Sequence, residues 1–171
     1  YMLWLAFDLL FERRSAGPGK RPFGRWYLVV VGLVDLMFLS GAQVAGTRAG
    51  LVYPTWPLIG DSVDPPGRYS NSPAWLAMFQ DVVSIQFNHR MFAYALVILL
   101  TLFAFRVYRS APAGRGRLAP VLLVSALALQ FVLGISTLLL HVPVGLAAAH
   151  QGGAVLLLTA ALYLSHVQLR Q

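Results

Sequence analysis

Long apolar runs, separated by short basic, polar or glycine- and proline-rich stretches, set the pattern of the chain. Crossing about 30 Å of hydrocarbon takes about 20 apolar residues in a helix. Four segments reach that length: residues 26–46, 84–107, 118–142 and 144–168. A fifth run, residues 1–11, extends only about 16 Å at 1.5 Å per residue and reads as the end of a preceding helix rather than an interfacial segment. The chain opens with Tyr1-Met2-Leu3-Trp4-Leu5 in place of a signal peptide's basic region, so it reads as a fragment. The expected fold is all-α: a multi-pass transmembrane four-helix bundle over residues 26–171, preceded by a truncated helix end at 1–11. An outer connection at 47–83 is expected within that bundle.

Composition sharpens the class. Hydrophobic residues make up 58% and charged residues 11% of the chain, against about 25% charged in soluble domains. The lipid bilayer is therefore the first partner. The net charge of +7 raises nucleic acid as a second, but the basic residues are sorted by loop. Arg13, Arg14, Lys20, Arg21 and Arg25, then Arg106, Arg109, Arg115 and Arg117, and finally Arg170 fall on one side of the predicted topology, ten of the 13. Arg48, Arg68 and Arg90 fall on the other, balanced by Asp61, Asp64 and Asp81. Such sorting places the basic side in the cytoplasm or matrix and argues against nucleic acid. The Ala-, Arg- and Gly-rich composition favours a bacterial plasma membrane, with a mitochondrial inner membrane as the alternative. With no cysteine, disulfides, thiolate metal sites, iron–sulfur clusters and cysteine nucleophiles are excluded.

The outer connection carries Tyr53-Pro54-Thr55-Trp56-Pro57 and then Pro73-Ala74-Trp75-Leu76-Ala77-Met78-Phe79. The second stretch suits a short amphipathic helix with Trp75 and Phe79 on one face. A packed cap and an ordinary aromatic belt both account for these aromatics.

Ionisable residues inside a bilayer are costly and mark sites. His89 lies about five residues, and His150 about six, inside the outer ends of their helices, read as running in opposite directions; both come about 7 to 9 Å below the same surface. Two imidazoles at one depth on separate helices can hold a metal or clamp a haem. Ala147 and Gly153 share a face with His150, while His89 continues into Ala93, Leu96 and Val97, leaving clearance and an apolar wall for a flat macrocycle. Zinc would want three or four compact ligands. Interhelical hydrogen bonding is the plainer alternative, since small residues also serve tight helix packing. His141, just before Pro143, is hydrated at the interface or reaches a ligand from the rim. His166 lies about 24 Å from His150 along the same helix and cannot serve the same haem; it is expected at the inner interface.

Arg90 is expected at the outer surface, paired with a haem propionate; Arg48 could do the same or snorkel to headgroups. Asn88 and Gln151 either orient an imidazole or bond backbone across helices. Asp35, in mid-span, is expected to face a neighbouring helix or parts outside this chain, as a packing contact more than a proton relay. Gln43 and Gln130 are read as interhelical hydrogen bonds, and Ala42-x-x-x-Gly46 as a close helix approach.

Four stretches together resemble the C-terminal half of the heme A synthase family of cytochrome oxidase assembly. They are Gly41 to Leu58, with Tyr53-Pro54-Thr55-Trp56-Pro57; Val82 to Arg90, ending Gln86-Phe87-Asn88-His89-Arg90; Leu133-Gly134-Ile135-Ser136-Thr137-Leu138-Leu139; and Ala149-His150-Gln151-Gly152-Gly153. The resemblance implies two pseudo-symmetric four-helix bundles, of which this chain is the second. It implies haem b held between His89 and His150 as metal ligands. The partner N-terminal half-bundle would oxidise the C8 methyl of heme O to the formyl group of heme A. A glutamate implicated in catalysis in the first bundle corresponds here to Gln86, which cannot act as a carboxylate base, so no catalytic residue is assigned in this chain and its haem is read as serving electron transfer or structure. The absent cysteine pair resembles the proteobacterial and mitochondrial branch. An unidentified electron-transfer partner is implied, and a homo-oligomer stays open. Two alternatives remain: a standalone membrane b-type cytochrome, and a haem-free assembly scaffold.

Overall fold

The computed structural model describes residues 2–11, 23–70 and 73–170. Six α-helices follow one another: α1 (Met2–Leu10), α2 (Trp26–Thr47), α3 (Ala74–Gln80), α4 (Val82–Ser110), α5 (Arg115–Leu139) and α6 (Val144–Leu169). The described residues form no strand beyond an isolated bridge between Ile59 and Ser62. Helices α2, α4, α5 and α6 are each long and apolar enough to cross a membrane. They pack as a ring in which α2 and α5 both neighbour α4 and α6. Arg13, Arg14, Lys20 and Arg21 lie outside the described residues; Arg25, Arg106, Arg109, Arg115, Arg117 and Arg170 fall at one end of the bundle, called here the basic end. The connection from α2 to α4 defines the loop end.

Local chemistry sets the helix limits. Arg48 ends α2 in the left-handed region (φ 55°), its N–H donating to Ala45 O. Asp81, the single residue between α3 and α4, caps α4 twice: Oδ1 accepts from Val83 N at 3.1 Å and Oδ2 from Ser84 Oγ at 2.7 Å. Gly114, with φ +84°, turns the chain into α5. Pro120 sits inside α5 and has no N–H for the carbonyl of Gly116, four residues back. That carbonyl accepts instead from Gln168 Nε2 of α6, at 2.8 Å.

Two expectations are corrected. First, α5 spans 115–139 rather than 118–142. His141 and Val142 both have positive φ (62° and 56°) and form the turn into α6, held by Val142 N donating to Thr137 O at 2.8 Å. His141 is thus a turn residue, not part of the outer end of a span. Second, α4 and α6 run in the same direction, because each follows an oppositely directed helix; His89 and His150 come near one level because they are the eighth and seventh residues of parallel helices.

The core occupies the basic half of the bundle. Tyr27, Val34, Leu96, Leu100, Leu123, Leu127, Leu157 and Leu164 are buried there in one cluster. Polar groups within it are paired: Ser165 Oγ donates to Tyr27 O at 3.1 Å. Helix α1 lies on α6, where Asp8 accepts from His166 Nε2 and from Arg170, both at 2.7 Å. Trp4, Phe7 and Phe11 surround the His166 ring, and the Arg115 guanidinium lies 4.6 Å from the centre of the Phe11 ring.

Candidate functional site

Beyond Val34, Leu96, Leu127 and Leu157 the packed core gives way to a cavity of about 940 Å³ enclosed by α2, α4, α5 and α6. Its walls are mostly apolar, and Ala93, Leu96 and Val97 of α4 face it together with Ala147, Ala148 and Gly152 of α6. His89 and His150 both line it. Each imidazole lies against a glycine of a neighbouring helix. A Cβ on Gly41 would stand 3.4 Å from His89 Cε1, and one on Gly134 would stand 3.0 Å from His150 Cε1. A Cβ at Gly134 would crowd the ring, whereas one at Gly41 would meet it at ordinary contact.

The polar partners of the two rings differ. Ser40 Oγ of α2 is 3.0 Å from His89 Nδ1. His150 has only a long contact, 3.5 Å between its Nε2 and Gln130 Nε2, and its Nδ1 is buried with no partner. Gln130 Oε1 and Gln86 Oε1 are buried and unpartnered too. The buried side-chain atoms left without a partner among the described residues therefore all belong to residues lining this cavity, although buried polar groups are normally bonded.

Arg90 follows His89 but does not reach the outer surface. Its side chain is buried, with Nη1 donating to Thr55 O at 2.8 Å and Leu58 O at 3.3 Å, and Nη2 to Tyr53 O at 2.6 Å. It pins the Tyr53–Leu58 stretch across the cavity mouth. Gln86 Nε2 adds a bond to Tyr53 O at 3.2 Å. Asn88 likewise holds the connection, accepting from Tyr69 Oη at 2.7 Å, rather than orienting an imidazole. The connection is thus a cap fastened by polar contacts to α4, while Trp56, Trp75 and Phe79 stay exposed on it. On its surface Arg68 pairs with Asp64, and the guanidinium holds the Asp64 carboxyl below its usual range. Arg48 also lines the cavity, and its guanidinium makes no hydrogen bond or ion pair among the described residues.

The sequence model described as cytochrome oxidase assembly protein, COX15-CtaA, matches residues 1–162. The chain belongs to this family. Among curated relatives it is 45% identical to the heme A synthase of Nitrosospira multiformis over 172 residues, covering 99% of this chain and 48% of that protein. It is 42% identical to the heme A synthase of Bradyrhizobium diazoefficiens, covering 94% and 44%. It is also 42% identical to that of Nitrosomonas eutropha, covering 95% and 46%. The chain spans about half the length of the curated relatives it matches, their C-terminal half. No solved structure matches it.

In this COX15-CtaA chain the cavity gathers His89, His150, Arg90, Arg48, Gln151 and Gln130. Gly153, expected to clear space beside His150, instead packs against Gln130 and Leu133 of α5, and Gly152 faces the cavity. His166 is at the other end, paired with Asp8. Asp35 is exposed on α2, outside the cavity and without a hydrogen bond among the described residues. Gln43 bonds Met78 O of α3 at 3.3 Å, joining two helices as expected. Sequence reasoning missed Ser40, Gly41 and Gly134. Ser40-Gly41 opens the small-residue run before the Tyr53 loop, and Gly134 stands inside an apolar span; these were the available signals.

Proposed function

We propose that this chain is the haem-b-binding half of a heme A synthase, in which His89 and His150 would hold the iron. The observation that carries the reading is the pairing of two imidazoles, each seated on a glycine, in one largely apolar cavity. Its volume suits a cofactor site. Among the described residues no cluster of three or more His, Cys, Asp or Glu could hold a metal ion, so the donor set suits a macrocycle clamped on two faces better than a tetrahedral ion. The buried unpartnered polar atoms along the cavity and the small residues flanking His150 support the same fit.

When bound, the haem supplies a one-electron couple. The chain's own residues would hold it and exclude water: His89 and His150 would ligate, Leu96, Val97 and Leu138 would wall the site, and the capped loop would close it. Arg90 serves at one remove, fastening that loop, and propionate pairing falls to Arg48, whose guanidinium has no partner among the described residues. Gln86 stands where a carboxylate base would be needed for oxidation, so oxidation of heme O to heme A belongs to the N-terminal half-bundle of the same enzyme, and this half serves electron transfer or structure. The bacterial relatives favour the plasma membrane, with the basic end facing the cytoplasm.

The test is the reduced-minus-oxidised spectrum of the detergent-purified protein, with pyridine hemochrome quantification. Sharp b-type bands at about one haem per chain are expected, lost in both His89→Ala and His150→Ala while the fold persists. Bands unchanged in both variants overturn the ligand assignment; a folded protein without haem overturns the haem reading in favour of a scaffold.

A further inference from the structure

Hydroxyl side chains inside the spans mostly return their hydrogen bond to their own helix. Thr47 Oγ1 donates to Gln43 O, Thr137 Oγ1 to Leu133 O, Thr159 Oγ1 to Val155 O and Ser165 Oγ to Ala161 O, each four residues back. This local bond is the default for serine and threonine in an apolar helix, where no water competes. Thr137 Oγ1 and Ser165 Oγ also come within reach of Leu146 O and Tyr27 O on other helices, yet keep the local bond. Ser40 departs from it: among the described residues its hydroxyl makes no bond within its own helix and meets His89 Nδ1 at 3.0 Å. The next residue, Gly41, leaves the room in which His89 Cε1 lies. The Ser40-Gly41 pair therefore seats one edge of the imidazole, Nδ1 and Cε1, and makes no hydrogen bond to Nε2.

We propose that Ser40 is a positioning residue that fixes the tautomer and ring orientation of His89 and so would make it the stronger of two unequal ligands. The inference rests on the haem reading above. With Nε2 given to a metal, Nδ1 carries the proton and donates to Ser40 Oγ, the arrangement by which an outer partner orients a ligating histidine and raises its basicity. His150 lacks the counterpart: its ring lies closer still to a glycine, Gly134, but its Nδ1 has no acceptor and its other contact is the 3.5 Å approach of Gln130. A more basic ligand favours the ferric state, so losing the bond shifts the couple upward.

The experiment is potentiometric titration and low-temperature electron paramagnetic resonance of the purified protein carrying Ser40→Ala or Ser40→Thr, beside the unsubstituted form. Ser40→Ala is expected to retain a bis-histidine spectrum with a raised midpoint potential and a shifted, broadened low-spin signal, and Ser40→Thr to restore both. Wild-type potential and signal in Ser40→Ala overturn the positioning role while leaving the haem reading intact. Absence of haem from the unsubstituted protein overturns the haem reading itself. If Ser40→Ala sheds its haem, Ser40→Thr decides: retention at the original potential supports the role of the hydroxyl, and loss overturns it.

Discussion

The two ends of this bundle are built from the same four helices and treat polar residues in opposite ways. At the basic end the helices close on a continuous apolar cluster, and His166, Ser165 and Gln168 each have a partner. At the loop end the same helices stand around a cavity, and His150, Gln86 and Gln130 keep buried atoms unpaired. His150 and His166 stand about 24 Å apart on α6 at 1.5 Å per residue, one facing the cavity and the other locked to Asp8. A helix long enough to span a membrane can thus give one half of its length to cohesion and the other to a site. Close packing in the first half keeps the second from collapsing.

The largest test of this division is truncation in each half. Leu164 is fully buried in the cluster, and Leu164→Ala should cost about 2–5 kcal/mol, the range for cavity-forming core substitutions. Leu138 lines the existing cavity, and Leu138→Ala should cost under about 1 kcal/mol because its neighbours are already incompletely packed. Thermal unfolding in detergent reads both, and equal losses would break the comparison. Next comes Arg90→Ala, which strips three loop carbonyls of a charged donor and should cost about 2–4 kcal/mol. Proteolysis between Tyr53 and Arg68 should accelerate; Arg90→Lys should not rescue it, since an ammonium lacks the planar fork.

A smaller effect is expected at the basic end from Asp8→Asn, about 1–2 kcal/mol. It should raise hydrogen exchange in α1 while leaving any haem spectrum unchanged, which would separate the two ends functionally. The smallest effects should come from the glycine seats, and they should be ranked. Gly134→Ala places a Cβ 3.0 Å from the His150 ring and forces it to shift, whereas Gly41→Ala meets His89 at an ordinary 3.4 Å. Haem band positions should move more for Gly134→Ala, and the reverse order would show that the rings are seated differently.

Much of the architecture was legible in the chain. The four spans, their order and the depth of His89 and His150 follow from hydropathy and helical rise, because burial in lipid is a property of each segment alone. The end of α5 was misplaced by three residues because Leu140 and Val142 carry the apolar run past His141, and only the closing turn onto Thr137 shows that the chain leaves the helix there. Arg90 was read as a surface cation because its position along α4 is near the loop end. Its burial depends on carbonyls more than 30 residues earlier in the chain. The role of Asn88 stayed open in the sequence for the same reason, its partner Tyr69 lying in a connection with no hydropathy signature of its own.

The sequence by itself determined that this chain makes four membrane spans with two histidines at one level, and its motifs carried the family. Tertiary structure decided which polar atom meets which: Ser40 with His89, Gln168 with the carbonyl freed by Pro120, Arg90 with the loop, Asp8 with His166. The physical reason is range. Hydrophobic burial sums over neighbouring residues and can be read locally. A hydrogen bond is short and directional, and its partner is set by how separate helices are brought together.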